Sequence, residues 1–249
     1  MYSFEVERPT SVADAAAALG KDEAQALGGG QTLIPTLKQR LASPSVLVSL
    51  AGIADIKGVS VDGGTVTIGG GTTHGVVAAE AGAYPALAAL AGNIGDPAVR
   101  NRGTIGGSLA NNDPSACYPS AALASGATIV TNSREIAADD YFQGLFETAL
   151  EEGEIVTSVK FPIPEAASLV GVYVAKFADG VRVAVTGASE GGVYRWSEAE
   201  AALSGNFSAD ALDGLTVSGD DMISDLHGSG DYRAHLVKVM TKRAVAAAS

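Results

Sequence analysis

The chain has 249 residues, of which 47% are hydrophobic, 18% are charged and 31 are glycine, and its formal net charge is −12. This composition supports a sizeable core and excludes a wholly disordered chain. The acidic balance argues against nucleic acid as a partner, because binding it needs cations that neutralise phosphates. No signal-peptide pattern is visible, and no apolar run approaches the roughly 18 residues of a membrane span. We therefore expect a cytoplasmic protein without a transmembrane segment.

The hydrophobic pattern predicts alternating strands and helices in the first two thirds of the chain. The predicted strands cover residues 4–8, 24–27, 46–50, 66–68, 127–131 and 155–161. The predicted helices cover residues 12–19, 33–40, 75–81, 84–91 and 119–125. Residues 92–114 are rich in Gly, Asn, Asp and Pro and lack periodicity, so they predict a long functional loop.

The last third changes character. Strands are predicted at 169–175 and 181–188, joined by a hairpin turn at 178–180, and helices follow near 198–203, after Ser208 and at 232–247. The sequence therefore predicts an α+β fold, with two α/β subdomains followed by a C-terminal antiparallel sheet with helices. The expected domains are residues 1–52, 53–164 and 165–249.

A glycine-rich segment, Gly28-Gly29-Gly30-Gln31-Thr32, lies between a predicted strand and a predicted helix. Consecutive glycines let a backbone approach a ligand closely and direct N–H groups at it, and the start of the helix adds positive potential. The segment matches neither the G-x-G-x-x-G nor the Walker pattern. It is typical either of a site for a phosphate or pyrophosphate, or of a simple tight turn.

A second glycine-rich segment runs from Arg102 to Ser108 and is followed by Asn111, Asn112 and Asp113. Its hydroxyl and amide groups, next to flexible backbone, suit a ligand with many oxygen atoms. Two such segments with few basic residues between them favour a dinucleotide over a single phosphate. The alternative is a structural Ω-loop.

Other candidates for chemistry are weaker. His74 follows a glycine-rich strand end and is interpreted either as a ligand contact or as a solvated loop residue. Cys117 is the single cysteine, so it cannot form an internal disulfide or hold an iron–sulfur cluster alone. The nucleophile-elbow pattern at residues 187–191 is interpreted as a hairpin, because a strand rather than a helix follows it. We assign no catalytic residue and no metal ligand.

The two glycine-rich segments, within GGGQTLIPTLK and GDPAVRNRGTIGGSLANNDP, resemble the two flavin loops of the FAD-binding (medium) subunits of the molybdenum hydroxylases. The likeness covers nearly the whole chain and is greatest to the medium subunits of aerobic carbon monoxide dehydrogenases. It implies a PCMH-type FAD-binding fold. It also implies that FAD contacts Gly28, Gly29, Gly30, Gln31, Thr32, Leu33, Ile94, Thr104, Gly107, Ser108, Asn111, Asp113, Cys117 and Val156.

The resemblance further implies an oxidoreductase subunit that receives electrons from [2Fe–2S] clusters and passes them through FAD to a quinone-type acceptor. The implied partners are a molybdopterin-containing large subunit and a [2Fe–2S] small subunit, arranged as a dimer of heterotrimers. These partners would also attach the complex to the inner face of the membrane. The alternatives are an FAD subunit of a xanthine or aromatic-heterocycle dehydrogenase, a self-contained FAD-dependent oxidase, and a non-catalytic interaction module.

The chain departs from the family pattern at two places. Many relatives carry an acidic residue where Cys117 stands, which changes a polar contact to the cofactor. Relatives also have about a dozen more residues before the strand that starts near Leu169, including a lysine near the flavin. Here Glu165 leads almost directly into that strand, so Lys176 is not assigned the lysine's role.

Overall fold

The computed structural model describes residues 1–169 and 171–248, and at Ser168 and Leu169 it describes the backbone alone. The chain forms two compact units. The first consists of Met1–Asn111, Thr128–Ala137 and Ala149–Lys160, and the second of Asn112–Ala127, Ala138–Thr148 and Phe161–Ser249. The predicted α+β fold with an antiparallel C-terminal sheet is confirmed, while the three domain bounds drawn from the sequence stay a prediction.

The first unit begins with a small parallel sheet of order β1-β3-β2, in which β1 is Glu5–Glu7, β2 is Ala24–Leu27 and β3 is Val46–Ser49. Helix α1 (Val12–Leu19) connects β1 to β2 and starts at Ser11, whose side chain accepts a hydrogen bond from the backbone N–H of Asp14. Helix α2 (Leu33–Lys38) connects β2 to β3. These elements form as the sequence predicts, because each carries its own local signal.

The rest of the first unit is built around a sheet of order β4-β5-β10-β6-β7. Its strands are β4 (Val59–Asp62), β5 (Thr65–Gly69), β6 (Thr128–Thr131), β7 (Glu135–Ala137) and β10 (Val156–Pro162). Four helices follow β5, namely α3 (His74–Glu80), α4 (Pro85–Gly92), α5 (Pro97–Arg102) and α6 (Ile105–Asn111). Among the described residues, no helix is both long and apolar enough to cross a membrane.

The prediction of one long loop at residues 92–114 is wrong, because α5 and α6 lie inside it. Helix α5 starts with Pro97 behind Asp96, whose side chain accepts a hydrogen bond from the N–H of Ala98. Helix α6 contains adjacent glycines, which lower intrinsic helix propensity. It forms because Ile105 and Leu109, one helical turn apart, are both buried.

The second unit contains a four-stranded antiparallel sheet made of β11 (Ala166–Leu169), β12 (Val172–Phe177), β13 (Gly180–Ser189) and β14 (Gly192–Arg195), in chain order. The predicted strand at 169–175 is wrong at its start, because β11 ends there and β12 begins at Val172. Gly171 between them has a φ of +76°, which interrupts an extended chain. Val170, also within that prediction, lies outside the described residues.

Helices cover both faces of this sheet. Helices α9 (Ser197–Gly205) and α10 (Gly230–Ala248) and a 3-10 helix at Ala209–Leu212 pack on a core formed by the valines of β12 and β13. Helix α7 (Tyr118–Ser125), all eight residues of which are buried, packs on β12, β13 and β14. A short helix α8 (Ala138–Tyr141) leads into a two-stranded sheet of β8 (Phe142–Gly144) and β9 (Glu147–Thr148).

A polar cluster around Glu154 closes the turn that leads into β10 in the first unit. Its carboxylate accepts hydrogen bonds from Thr131 Oγ1 at 3.0 Å, from Arg134 at 2.9 Å and from the backbone N–H of Glu151 at 2.8 Å. Ser133 also donates to it. The hydrogen bond from Arg134 is the largest of the effects that lower the pKa of Glu154 to about 2.

Replacing Glu154 by Gln is expected to lower the free energy of unfolding by about 2 kcal/mol, because several donors lose a charged acceptor. In the wild type, the pKa of Glu154 lies below its ordinary value of 4.5. The carboxylate therefore stabilises the fold fully above about pH 4.5 and loses this effect as the pH falls toward 2. Urea unfolding at several pH values measures both effects.

The matched control is Glu135→Gln, which breaks the exposed ion pair with Lys160 and is expected to change stability by less than about 1 kcal/mol. Equal losses in the two variants would contradict the role assigned to Glu154.

Candidate functional site

The two glycine-rich segments of the sequence lie against each other in the first unit. We call residues 28–33 the first glycine loop, and residues 102–108, which include the first turn of α6, the second glycine loop. A Cβ atom on Gly29 would lie 2.0 Å from the carbonyl oxygen of Arg102 and 2.6 Å from the Cα atom of Gly103. A Cβ atom on Gly28 would lie 3.1 Å from Thr104 Oγ1. The loops therefore pack backbone to backbone, at a distance that side chains would prevent.

The first glycine loop presents hydrogen-bond donors that the fold itself does not use. Within the described part of the chain, the backbone N–H groups of residues 29–32 meet no hydrogen-bond acceptor. Gln31 and Thr32 are exposed, and Gly30 turns the chain with a φ of +73°. Open N–H groups on an accessible turn are the donors that bind a phosphate in the absence of cations.

Several backbone N–H groups of the second glycine loop donate hydrogen bonds within the protein. Ile105 donates to Thr72, Gly106 to Gly70, and Ser108 to the carbonyl of Thr104. The N–H of Gly107 donates to Thr104 Oγ1 at 3.1 Å. These hydrogen bonds fix the second glycine loop, against which the first loop packs. The groups that remain accessible to a ligand are the half-buried side chain of Ser108 and the exposed backbone of Gly107.

Gly70 connects the second glycine loop to Val156, and the sequence reasoning did not assign it to the site. Its carbonyl accepts the N–H of Gly106 at 2.9 Å, and its own N–H donates to Thr157 at 2.8 Å. A Cβ atom on Gly70 would lie 2.0 Å from the carbonyl oxygen of Val156. The signal that could have found it is the run of three glycines at 69–71, which repeats the pattern of 28–30.

His74 is buried rather than solvated, so one of its two predicted roles is wrong. Its backbone N–H donates to the carbonyl of Gly103 at 3.0 Å. A Cβ atom on Gly103 would lie 2.6 Å from His74 Nε2. Burial lowers the pKa of His74 to about 4, so the imidazole is neutral at pH 7 and packs behind the second glycine loop.

The remaining residues assigned by resemblance lie in several elements. Ile94 is half-buried in the turn between α4 and α5, where its carbonyl accepts a hydrogen bond from Arg100. Asn111 ends α6 in the first unit. In the second unit, the Asp113 carboxylate accepts the N–H of Ser115 at 2.8 Å. Cys117 is the residue immediately before α7, and burial raises the pKa of its half-buried thiol.

Asn112 fixes the turn before Asp113, which the sequence reasoning missed. It is buried and has a φ of +42°, which among non-glycine residues asparagine adopts most readily. Its side-chain nitrogen donates to the carbonyls of Gly144 at 2.7 Å and Glu147 at 2.9 Å. The asparagine therefore anchors the β8–β9 hairpin to the segment that carries Asp113.

Acid is expected to destabilise the first unit through His74. Because its folded-state pKa of about 4 lies below the ordinary value of 6.5, the unfolded chain takes up the proton first as the pH falls. The stability that depends on neutral His74 is complete above about pH 6.5 and decreases from there toward pH 4. NMR titration of the ring protons should give a midpoint near pH 4.

In urea unfolding, His74→Gln is expected to flatten the pH dependence between 6.5 and 4. The control His235→Gln removes an exposed histidine and is expected to leave that dependence unchanged. A ring midpoint near 6.5 would refute the assignment of His74 as a buried neutral side chain.

Comparisons with known proteins identify the family. Residues 2–164 match the model of the FAD binding domain in molybdopterin dehydrogenase. The carbon monoxide dehydrogenase medium chain of Afipia carboxidovorans is 41% identical in an alignment of 171 positions, gaps included, that covers 65% of this chain and 59% of that protein. The nicotine 6-hydroxylase medium subunit of Paenarthrobacter nicotinovorans is 34% identical in an alignment of 267 positions, gaps included, that covers 95% of this chain and 94% of that protein.

The fold agrees with these sequence matches. The structure of a Cu,Mo-CO dehydrogenase in its cyanide-inactivated form contains a chain that aligns with a TM-score of 0.88 and 31% identity, covering 100% of this chain and 98% of that one. The open N–H groups of the first glycine loop fit the pyrophosphate of FAD. The chain belongs to the family of FAD-binding subunits of molybdopterin dehydrogenases, which are oxidoreductases, and its cofactor is FAD.

Proposed function

We propose that this chain is the flavoprotein subunit through which a molybdenum hydroxylase passes electrons from the [2Fe–2S] clusters of a partner subunit to an external, quinone-type acceptor. The observation that carries the proposal is the close packing of the two glycine loops, which leaves the N–H groups of the first loop open. The alignment with medium subunits over nearly the whole chain supports it.

In this proposal the chain binds and orients FAD. The FAD itself carries the redox chemistry, which is the exchange of electrons with a donor and an acceptor. The open N–H groups of residues 29–32 bind the pyrophosphate. Thr104, Gly107 and Ser108 line the second side of the cofactor, with Val156 as an apolar contact. Gly28, Leu33, Ile94, Asn111, Asp113 and Cys117 complete the proposed set of contacts.

The proposed partners are a molybdopterin-containing large subunit and a [2Fe–2S] small subunit, in a dimer of heterotrimers located in the cytoplasm. The identity to a carbon monoxide dehydrogenase medium chain favours carbon monoxide as the substrate of the complex. The longer alignment with a nicotine 6-hydroxylase medium subunit favours an aromatic heterocycle as the second candidate. Residues 1–52 and 53–164 are the proposed FAD-binding subdomains, and 165–249 the C-terminal domain.

Gly29→Ala is expected to weaken FAD binding at least tenfold. The new methyl group would overlap the carbonyl oxygen of Arg102 at 2.0 Å and force the loops apart, a displacement that costs on the order of 2 kcal/mol. Titration of the apo chain with FAD, followed by flavin fluorescence, measures the affinity.

Gly82→Ala is the matched control, because no atom lies within 4 Å of the added Cβ. If Gly29→Ala fails to fold by circular dichroism, Gly107→Ala replaces it, with a milder 3.0 Å approach to Thr104 Oγ1 and a smaller expected loss. Wild-type affinity in a folded Gly29→Ala chain would refute the first glycine loop as the pyrophosphate site.

Purification of the native complex through a tag on this chain tests the proposed electron path. We expect mass analysis to find two further subunits, and metal analysis to find molybdenum and iron in addition to bound FAD. Carbon monoxide and an aromatic heterocycle such as quinoline are then supplied separately under anaerobic conditions, and bleaching of the flavin absorbance identifies the substrate. Recovery of this chain with FAD and no partner would contradict the proposal.

A further inference from the structure

Strand β13 is hydrogen-bonded to the start of the segment Asn112–Ala127, which carries Asp113 and Cys117. The hydroxyl of Thr186 lies 2.8 Å from the carbonyl oxygen of Pro114 and 3.2 Å from that of Ala116, so its proton is shared between them. Both carbonyls precede α7 and lie next to the two residues assigned to the cofactor.

The same strand is hydrogen-bonded to the far end of the segment. Arg182 donates to the carbonyl of Leu123, from Nε at 3.1 Å and from Nη2 at 2.8 Å. Asp139 fixes the guanidinium, because its two carboxylate oxygens accept from Nη2 at 2.8 and 2.7 Å. A guanidinium held by a carboxylate keeps its geometry better than a free one.

The spacing of these two anchors follows from β-strand geometry. Residues four apart in a strand point to the same face and lie about 13 Å from each other. Helix α7, with eight residues, is about 12 Å long. Val181, Val183 and Val185 point to the opposite face and form the core under α9 and α10. One face of β13 is therefore apolar. The other face carries Arg182 and Thr186, whose separation is close to the length of α7.

We infer that Arg182 and Thr186 are positioning residues, which hold the segment Asn112–Ala127 at both ends and so fix the conformation of Asp113 and Cys117, two of the proposed FAD contacts. The inference rests on the proposed function. Both residues lie outside residues 2–164, the part that matches the FAD binding domain. The conformation of a segment that lies within the matched domain therefore depends on a strand that lies outside it.

The test uses the full chain and its single cysteine as a reporter. Thr186→Val removes the hydroxyl at constant shape, and Thr186→Ser restores it. Thr241→Val is the control, because Thr241 makes a comparable side-chain bond of 2.7 Å to Val237 within α10 of the same unit. Two quantities are measured for each variant, the alkylation rate of Cys117 in the apo chain and the affinity for FAD.

We expect Thr186→Val to raise the alkylation rate and to weaken FAD binding, each by about fivefold, the factor that corresponds to about 1 kcal/mol. Thr186→Ser and Thr241→Val should match the wild type in both measurements. If Thr186→Val does not fold by circular dichroism, Thr186→Ala takes its place.

The outcomes separate the inference from the proposed function. An unchanged alkylation rate in Thr186→Val shows that the hydroxyl does not hold the segment and overturns the inference. A raised rate with wild-type FAD affinity overturns it as well, while leaving the proposed function intact. A wild-type chain that binds no FAD refutes the proposed function, and with it the role of Asp113 and Cys117 as FAD contacts. The alkylation rates still decide, in that case, whether Thr186 holds the segment.

Discussion

The structure of the first unit depends on contacts between backbones at positions where no side chain intervenes. Gly29 lies against Arg102 and Gly103, and Gly70 lies between Val156 and Gly106. Each approach is closer than any Cβ atom permits. Glycine is therefore a geometric requirement at these points, because these segments can converge only if their backbones touch.

In the proposed function, this arrangement lets a chain with a net charge of −12 hold an anionic cofactor. Donors fixed in orientation by the fold stabilise a phosphate without a full positive charge, and they need no reorganisation when it binds. The buried ring of His74 packs behind the second glycine loop and, being neutral, adds no positive charge there.

Much of the fold could be predicted from the sequence, because most elements carry local signals. Ser11 starts α1, and the turn at 178–180 joins two strands, as their residue types indicate. Helix α6 was missed, since its glycines oppose helix formation, and the burial of Ile105 and Leu109 and the hydrogen bond from Gly107 N–H to Thr104 Oγ1 stabilise it. The contribution of Gly70 to the site was missed for a related reason. The glycine run at 69–71 marks this position, but it does not indicate which distant backbones, those of Val156 and Gly106, Gly70 contacts.

The second unit is assembled from pieces far apart in the chain, and this affects when it can fold. The bonds from Thr186 to Pro114 and from Arg182 to Leu123 join residues separated by 72 and 59 positions. During synthesis from the N-terminus, α7 has no sheet to pack on until β12, β13 and β14 have left the ribosome. Contacts of such long range form slowly, since loop closure must precede them. The apolar residues of α7 are consequently exposed while the chain from α7 to β14 is synthesised, which makes this helix prone to aggregation until the sheet forms.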